Sequence, residues 1–192
     1  MRPGLDQATV VTFDSTIDLR QDYTGDQQLL AKALRGIRSS GGTRLYEALL
    51  FLLNGPLAGR EGRRAIIVLT DGDDNSSRSS QADVVEAAQR NNVALYAVSV
   101  NSIGFRPEDS DEGDAILDML ATETGAKAFF PKRLEDLPGD FRAISKELRS
   151  QYSIAYRSTN PKRDGAYRRI RIEVKDTHYS VRPRTGYYAA FR

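Results

Sequence analysis

The run Ala65-Ile66-Ile67-Val68-Leu69 contains no polar residue and empties directly into Thr70-Asp71-Gly72-Asp73-Asp74-Asn75. Five aliphatic residues without alternation predict a strand covered on both faces, the habit of a parallel sheet flanked by helices. Residues 93–100, Val-Ala-Leu-Tyr-Ala-Val-Ser-Val, predict a second buried strand of the same kind. Ligands of open α/β sheets bind beyond the carboxyl ends of such strands. The carboxylates and amide at 71–75 are therefore the first place to look for a metal ion or a cationic group.

The segments around these runs supply the helices. Residues 8–14 read as a strand and 16–20 as its alternating partner across a tight turn at Asp14-Ser15, a hairpin. Asp26 caps a predicted helix to about residue 38, with Leu29, Leu30, Ala33, Leu34 and Ile37 on one face, and Ser-Ser-Gly-Gly ends it. Thr43 opens a helix carrying Leu45, Leu49, Leu52 and Leu53, stopped by Gly55-Pro56. Further helices are expected at 79–91, 115–124 and 137–150, and a short strand at 127–130, with an acidic loop at 108–114. Strands alternating with helices predict an α/β, doubly wound, Rossmann-like sheet.

From residue 152 the pattern changes to alternation, at 152–156, 167–174 and 180–188, with Asn160-Pro161 and Asp164-Gly165 as turn chemistry between the first two. This predicts a C-terminal antiparallel β appendage. The organisation expected is an α/β domain over residues 1–150 and a strand extension over 151–192 packed on it or following it. Charge divides along the same line. Residues 142–192 hold 13 Lys and Arg against 4 Asp and Glu, whereas residues 1–141 hold 15 against 22. The basic residues alternate with apolar ones along strands and form no stacking platform, so they read as solvated strand faces and no nucleic-acid partner is expected.

Several functional classes lack their residues. No phosphate-binding G-x-x-x-x-G-K-[ST], no G-x-G-x-x-G turn and no G-x-S-x-G elbow is present, and the single histidine is His178. Zero cysteines removes disulfides, thiolate metal sites and cysteine nucleophiles. Asp71-x-Asp73-x-Asn75 opens like an EF-hand loop, but Ser76 stands where glycine is needed and Ala82 where a bidentate Glu belongs. Asn75-Ser76-Ser77 is a glycosylation sequon that chance supplies readily. No apolar run long enough for a membrane span and no signal-peptide core occurs.

What remains is a pair of segments, Ser39-Ser-Gly-Gly-Thr43-Arg-Leu-Tyr-Glu-Ala-Leu49 and Ile66-Ile-Val-Leu-Thr-Asp71-Gly72. Together they resemble two of the three motifs of the von Willebrand factor A fold, the threonine loop and the strand-end aspartate of its metal-ion-dependent adhesion site. The ending, from Asn160-Pro-Lys-Arg-Asp-Gly165 to Gly186-Tyr-Tyr188, looks like the tail of bacterial proteins called VWFA-related, well represented in acidobacteria. The resemblance implies that Thr43 and Asp71 are metal ligands, Asp71 acting largely through a water, and that the ion is Mg²⁺ or a similar one such as Mn²⁺ or Ca²⁺. It implies a non-enzymatic interaction domain in which an open coordination position takes a carboxylate from a partner protein. Asp73, Asp74 and Asn75 would shape the rim, while Asp14 and Ser15 would serve hairpin geometry. The oligomeric state and compartment stay open: cytoplasmic as the chain is written, secreted or periplasmic if an upstream segment belongs to it.

The third motif, D-x-S-x-S, occurs nowhere in the chain. By the resemblance, Arg2-Pro3-Gly4-Leu5 corresponds to the end of the family's first helix, so the first strand, central in the order 3-2-1-4-5-6, would be lacking. Its loss would unpair two flanking strands at about 1–3 kcal/mol per buried backbone group, against a typical total of about 5–15 kcal/mol. Two expectations follow: a true start upstream of Met1, which is favoured, or a truncated fragment with impaired metal binding. Two other functions fit the residues, a metal-dependent hydrolase or phosphoryl-transfer domain using Asp71 and Asp73, and an interaction module working through the basic tail.

Overall fold

The computed structural model describes residues 1–38, 41–103, 110–152, 154–176, 178–179 and 181–191. The two aliphatic runs become β3 (Arg64–Thr70) and β4 (Val93–Ser99), paired in parallel over their whole length from Arg64↔Val93 to Thr70↔Ser99. A two-residue strand, β5 (Ala128–Phe129), extends the sheet in the order β3-β4-β5. Ahead of it in sequence, β1 (Ala8–Phe13) and β2 (Ile17–Thr24) form the expected hairpin, closed by Phe13↔Ile17.

Helices cover both faces of the parallel sheet. α2 (Leu45–Asn54), α3 (Gln81–Asn91) and α4 (Ser110–Glu123) bring Leu45, Leu49, Leu53, Val84, Ala88, Leu117 and Leu120 against Ile66, Val68, Leu95 and Ala97. On the other face α5 (Leu137–Ser150) sets Ile144 against Tyr96, Val98 and Phe129. Each buried Leu, Ile or Val contributes about 1.5–3 kcal/mol relative to exposure. β4 is covered on both sides, as a non-alternating run requires. β3 is not: Ile66 and Val68 are buried but Ile67 and Leu69 are 39% and 44% exposed. The expectation of burial on both faces fails on this outer half because no element among the described residues covers it.

Among the described residues the hairpin and the parallel sheet share no ladder, so β3 is an edge strand. The hairpin is held instead by Phe13 and Tyr23 packed against the core, and by Arg44 N–H donating to the carbonyl of Asp14 at 3.0 Å. Helix α1 (Gln27–Ala33) follows, capped by the Asp26 carboxylate, which accepts from Gln28 N–H and Leu29 N–H. It stops well short of residue 38. Leu34 and Ile37, counted on its apolar face, are 58% and 46% exposed, so no packing sustains further turns. Ser39 and Ser40, part of the expected stop, lie outside the described residues, as do residues 108 and 109 of the expected acidic loop at 108–114, whose remaining residues 110–114 are helical instead. Helix α4 begins at Ser110, five residues before its expected start.

Among the described residues the C-terminal region holds β6 (Tyr167–Arg169) paired antiparallel with β7 (Gly186–Tyr188), and an isolated bridge joins Asp164 to Phe191. The expected strand at 152–156 is absent among its described residues, where Tyr152 and Ile154 are 92% and 71% exposed and alternation has no core to serve. The turn residues around 160 wrap Arg168 instead of closing a hairpin: its guanidinium donates to Ser158 Oγ and to the Asn160 carbonyl. The β6–β7 pair rests on α3 through Tyr188, whose ring centroid lies 4.3 Å from the Arg90 guanidinium.

Candidate functional site at the carboxyl end of the sheet

The chain leaves β3 through a turn built by its own side chains. Asp71 Oδ1 accepts from Asp73 N–H at 3.2 Å and from the Thr70 hydroxyl at 3.4 Å, an Asx turn that fixes the aspartate at the strand end. Gly72 takes φ +88°, and a Cβ there would stand 2.4 Å from the carbonyl oxygen of Gly113 in α4. Two backbones thus touch where only glycine permits it.

The next residues reach across to the threonine loop. Thr43 N–H donates to Asn75 Oδ1 at 2.8 Å, and the Thr43 carbonyl accepts from both Asn75 N–H and Ser76 N–H at 3.2 Å. Gly42 lets this happen, since a Cβ on it would meet Ser76 Oγ at 2.0 Å. Helix α2 has no cap of its own, because Arg44 at the N-cap position offers no side-chain acceptor. Asp74 and Ser77 supply it from a distance of about thirty residues in sequence: Tyr46 N–H donates to Asp74 Oδ2 at 2.8 Å and Glu47 N–H to Ser77 Oγ at 3.1 Å. Asp74 Oδ1 also accepts from Ser76 N–H and Ser77 N–H. Burial pushes the Asp74 carboxyl up, but the hydrogen bonds from Tyr46 and from Ser76 and Ser77 overcome it and hold it below the usual carboxylate value.

A third wall comes from β4 and α4. Asn101 Nδ2 donates to the Asp71 carbonyl and to Asp114 Oδ1, each at 2.8 Å, while the buried Ser99 hydroxyl donates to the same Asp114 oxygen at 2.6 Å. The hairpin turn closes the fourth side. There Asp14 Oδ1 accepts from Thr16 N–H at 2.7 Å, the hairpin service expected of it, and its carbonyl holds Arg44.

The segments bearing Thr43 and Asp71 are therefore brought into one loop cluster. Both residues are half-buried, as is Asp74, while Asp73 and Asn75 are exposed. The rim is electronegative: burial raises the Tyr46 phenol, a Gln81 hydrogen bond opposes this, and the charges of Asp74, Asp73 and Glu112 raise it further. Among the described residues no group of three or more His, Asp or Glu is disposed to hold an ion. Sequence reasoning missed Ser99, Asn101 and Asp114. The strand-end rule that singled out Asp71 applies equally to the end of β4 and would have found the first two.

The model of the von Willebrand factor type A domain matches residues 2–145, most of the chain. The chain belongs to this family. Solved structures agree at the level of fold. A von Willebrand factor type A protein from Catenulispora acidiphila aligns with a TM-score of 0.57 and 19% identity over 74% of this chain and 33% of that one. The conserved hypothetical protein BatB from Bacteroides thetaiotaomicron gives 0.59 and 19% over 76% and 80%. An aerotolerance-related membrane protein from Bacteroides fragilis, carrying multiple mutations to serine, gives 0.61 and 16% over 79% and 82%. No curated protein matches the chain. Von Willebrand factor A domains typically mediate protein interactions, and the loop cluster is where this domain offers a built, polar surface. No helix among the described residues is long and apolar enough to cross a membrane.

Proposed function

We propose that this von Willebrand factor A domain is a non-enzymatic protein-interaction domain that presents its loop cluster to a partner's carboxylate through a weakly held divalent ion. The observation carrying this reading is the clamp between residues 43–47 and 74–77, which draws the loop bearing Thr43 onto the turn that follows Asp71 at the carboxyl end of β3. A threonine hydroxyl and one aspartate suit hydrated Mg²⁺, which keeps several waters and takes one or two carboxylates, and they fall short of an all-protein Ca²⁺ cage. Mn²⁺ would substitute. Asp74 and Asn75 spend their oxygens on the clamp, so within the rim Asp73 is the exposed carboxylate. Against histidine-based acid–base chemistry at the cluster stands the placement of the one histidine, His178, whose side chain is 90% exposed beside Asp176 in the C-terminal segment. Residues 151–192 act as an extension packed on the domain, supported by Gln89 Nε2 donating to Thr185 Oγ1 across α3 and the C-terminal segment.

Thermal unfolding with and without Mg²⁺ or Mn²⁺ tests the ion. At an ion concentration about ten times Kd, stabilisation is RT ln(1 + [L]/Kd), about 1.4 kcal/mol, or roughly 3–6 °C for a chain of this size. Thr43→Ala and Asp71→Ala each abolish the shift. Absence of a shift in the unsubstituted chain, or its persistence in both variants, would overturn the metal assignment.

A further inference from the structure

Helix α5 divides its surface by charge. Leu137, Ile144 and Leu148 face the sheet, and Phe141, at the same helical spacing, lies at the margin, 37% exposed. Arg142, Lys146 and Arg149 stand at i, i+4 and i+7, all exposed, on one flank. Asp140 and Glu147 fall on the other flank, and Glu147 already pairs with Arg182. None of the three cations has an ion-pair or hydrogen-bond partner among the described residues. Neighbouring like charges at three and four residues oppose the helix. A hollow of about 430 Å³ runs along this flank, lined by Arg142, Ser145, Lys146, Arg149 and Ser150.

We propose that this flank of α5 is a docking surface for an acidic helical segment of a partner protein. Charge complementarity sets the sign. Spacing sets the form: at 1.5 Å per residue the cations lie about 6 Å and 4.5 Å apart along the axis, the intervals of carboxylates at four- and three-residue spacing on an antiparallel helix. A single nucleic-acid strand would want a stacking aromatic beside the cations, and none lines the hollow. A membrane surface would want a continuous apolar stripe facing outward with them, whereas Leu137, Ile144 and Leu148 are turned into the core and Phe141 alone of the apolar face shows at its margin. The surface is separate from the loop cluster. Arg63, which opens onto β3 at its amino end, donates to the Gln151 carbonyl just past α5, placing the end of this helix at the opposite pole from Asp71. The proposal therefore stands or falls independently of the metal reading.

Fluorescence anisotropy on the full chain tests it, with a labelled helical peptide of about 20 residues bearing glutamates at three- and four-residue spacing. The comparison probe is its scrambled counterpart of identical composition. The ordered peptide is expected to bind, to weaken as salt rises through the range where the Debye length falls below about 10 Å, and to lose about tenfold in affinity with Arg142→Ser/Lys146→Ser/Arg149→Ser. The control Arg157→Ser/Lys162→Ser/Arg163→Ser, which removes the same charge from the C-terminal segment, retains binding. Unfolding curves that stay cooperative in both variants make the comparison one of binding. Equal binding by the α5 variant and the unsubstituted chain overturns the proposal, as does equal binding of the scrambled peptide. Tighter capture through these residues of single-stranded DNA, or of phosphatidylcholine vesicles containing phosphatidylserine, overturns it in favour of those partners.

Discussion

Asp74→Ala removes the cap that helix α2 borrows. The carboxylate accepts from three backbone N–H groups, those of Tyr46 at 2.8 Å, Ser77 at 2.8 Å and Ser76 at 3.2 Å. Loss of an N-cap acceptor costs about 1 kcal/mol, and the other two bonds, made to a half-buried charge, bring the total to about 2–3 kcal/mol. For a chain of this length that lowers Tm by roughly 5–10 °C. Asp74→Asn keeps one acceptor oxygen but turns a donor toward the remaining amides, so about half the loss is expected. The pH dependence has a definite sign. A carboxyl held below its ordinary value in the fold stabilises above the unfolded value near about 4 and ceases to do so as pH falls through the lower folded value. The gap between the unsubstituted chain and Asp74→Ala is thus full at neutral pH and narrows below about pH 4. Urea titrations across pH measure it, with Glu61→Ala on an exposed loop as the reference. Agreement of Asp74→Ala with that reference to within about 0.5 kcal/mol would refute the borrowed cap.

Two further predictions address other parts of the fold. Gly72→Ala forces a side chain into φ +88° and against the Gly113 carbonyl, a loss of about 2 kcal/mol or more in chemical denaturation; Gly4→Ala, with φ +71° but open space around it, costs less. Tyr187, hydrogen-bonded first by Ser158 and then by Tyr156 and Arg168, is lowered to about 8. Tyrosinate absorbance should therefore show one early-titrating phenol that Tyr187→Phe removes, and the stability this group adds is complete above the unfolded value near about 10 and lost as pH falls through its folded value.

Legibility of the fold in the sequence tracked burial. Residues 137–150 are bounded as expected and 93–100 to within one residue, β4 ending at Ser99 where Val100 turns outward, because their other apolar positions meet a core, and Ser80 with Asp83 forms the capping box at the start of α3. Where apolar residues meet nothing, the pattern misleads: Leu34 and Ile37 extend the expected α1, and Tyr152 and Ile154 suggest a strand, yet all four are exposed. The site divides in the same way. The two segments of the loop cluster were legible because one precedes the start of α2 and the other follows the end of β3. The hydrogen bonds from Tyr46 to Asp74 and from Asn101 to the Asp71 carbonyl join residues about thirty apart, and no local periodicity encodes such a separation.

The outer side of β3 has a consequence for how copies of this protein coexist. Among the described residues the outer edge of β3 pairs with no strand and Ile67 and Leu69 beside it are exposed, so it is a seam along which another strand can lie. A net charge of +2 gives little mutual repulsion to keep copies apart. For a chain that presents this edge, Ile67→Lys would do more for solubility at high concentration than the same charge placed on the already basic C-terminal segment.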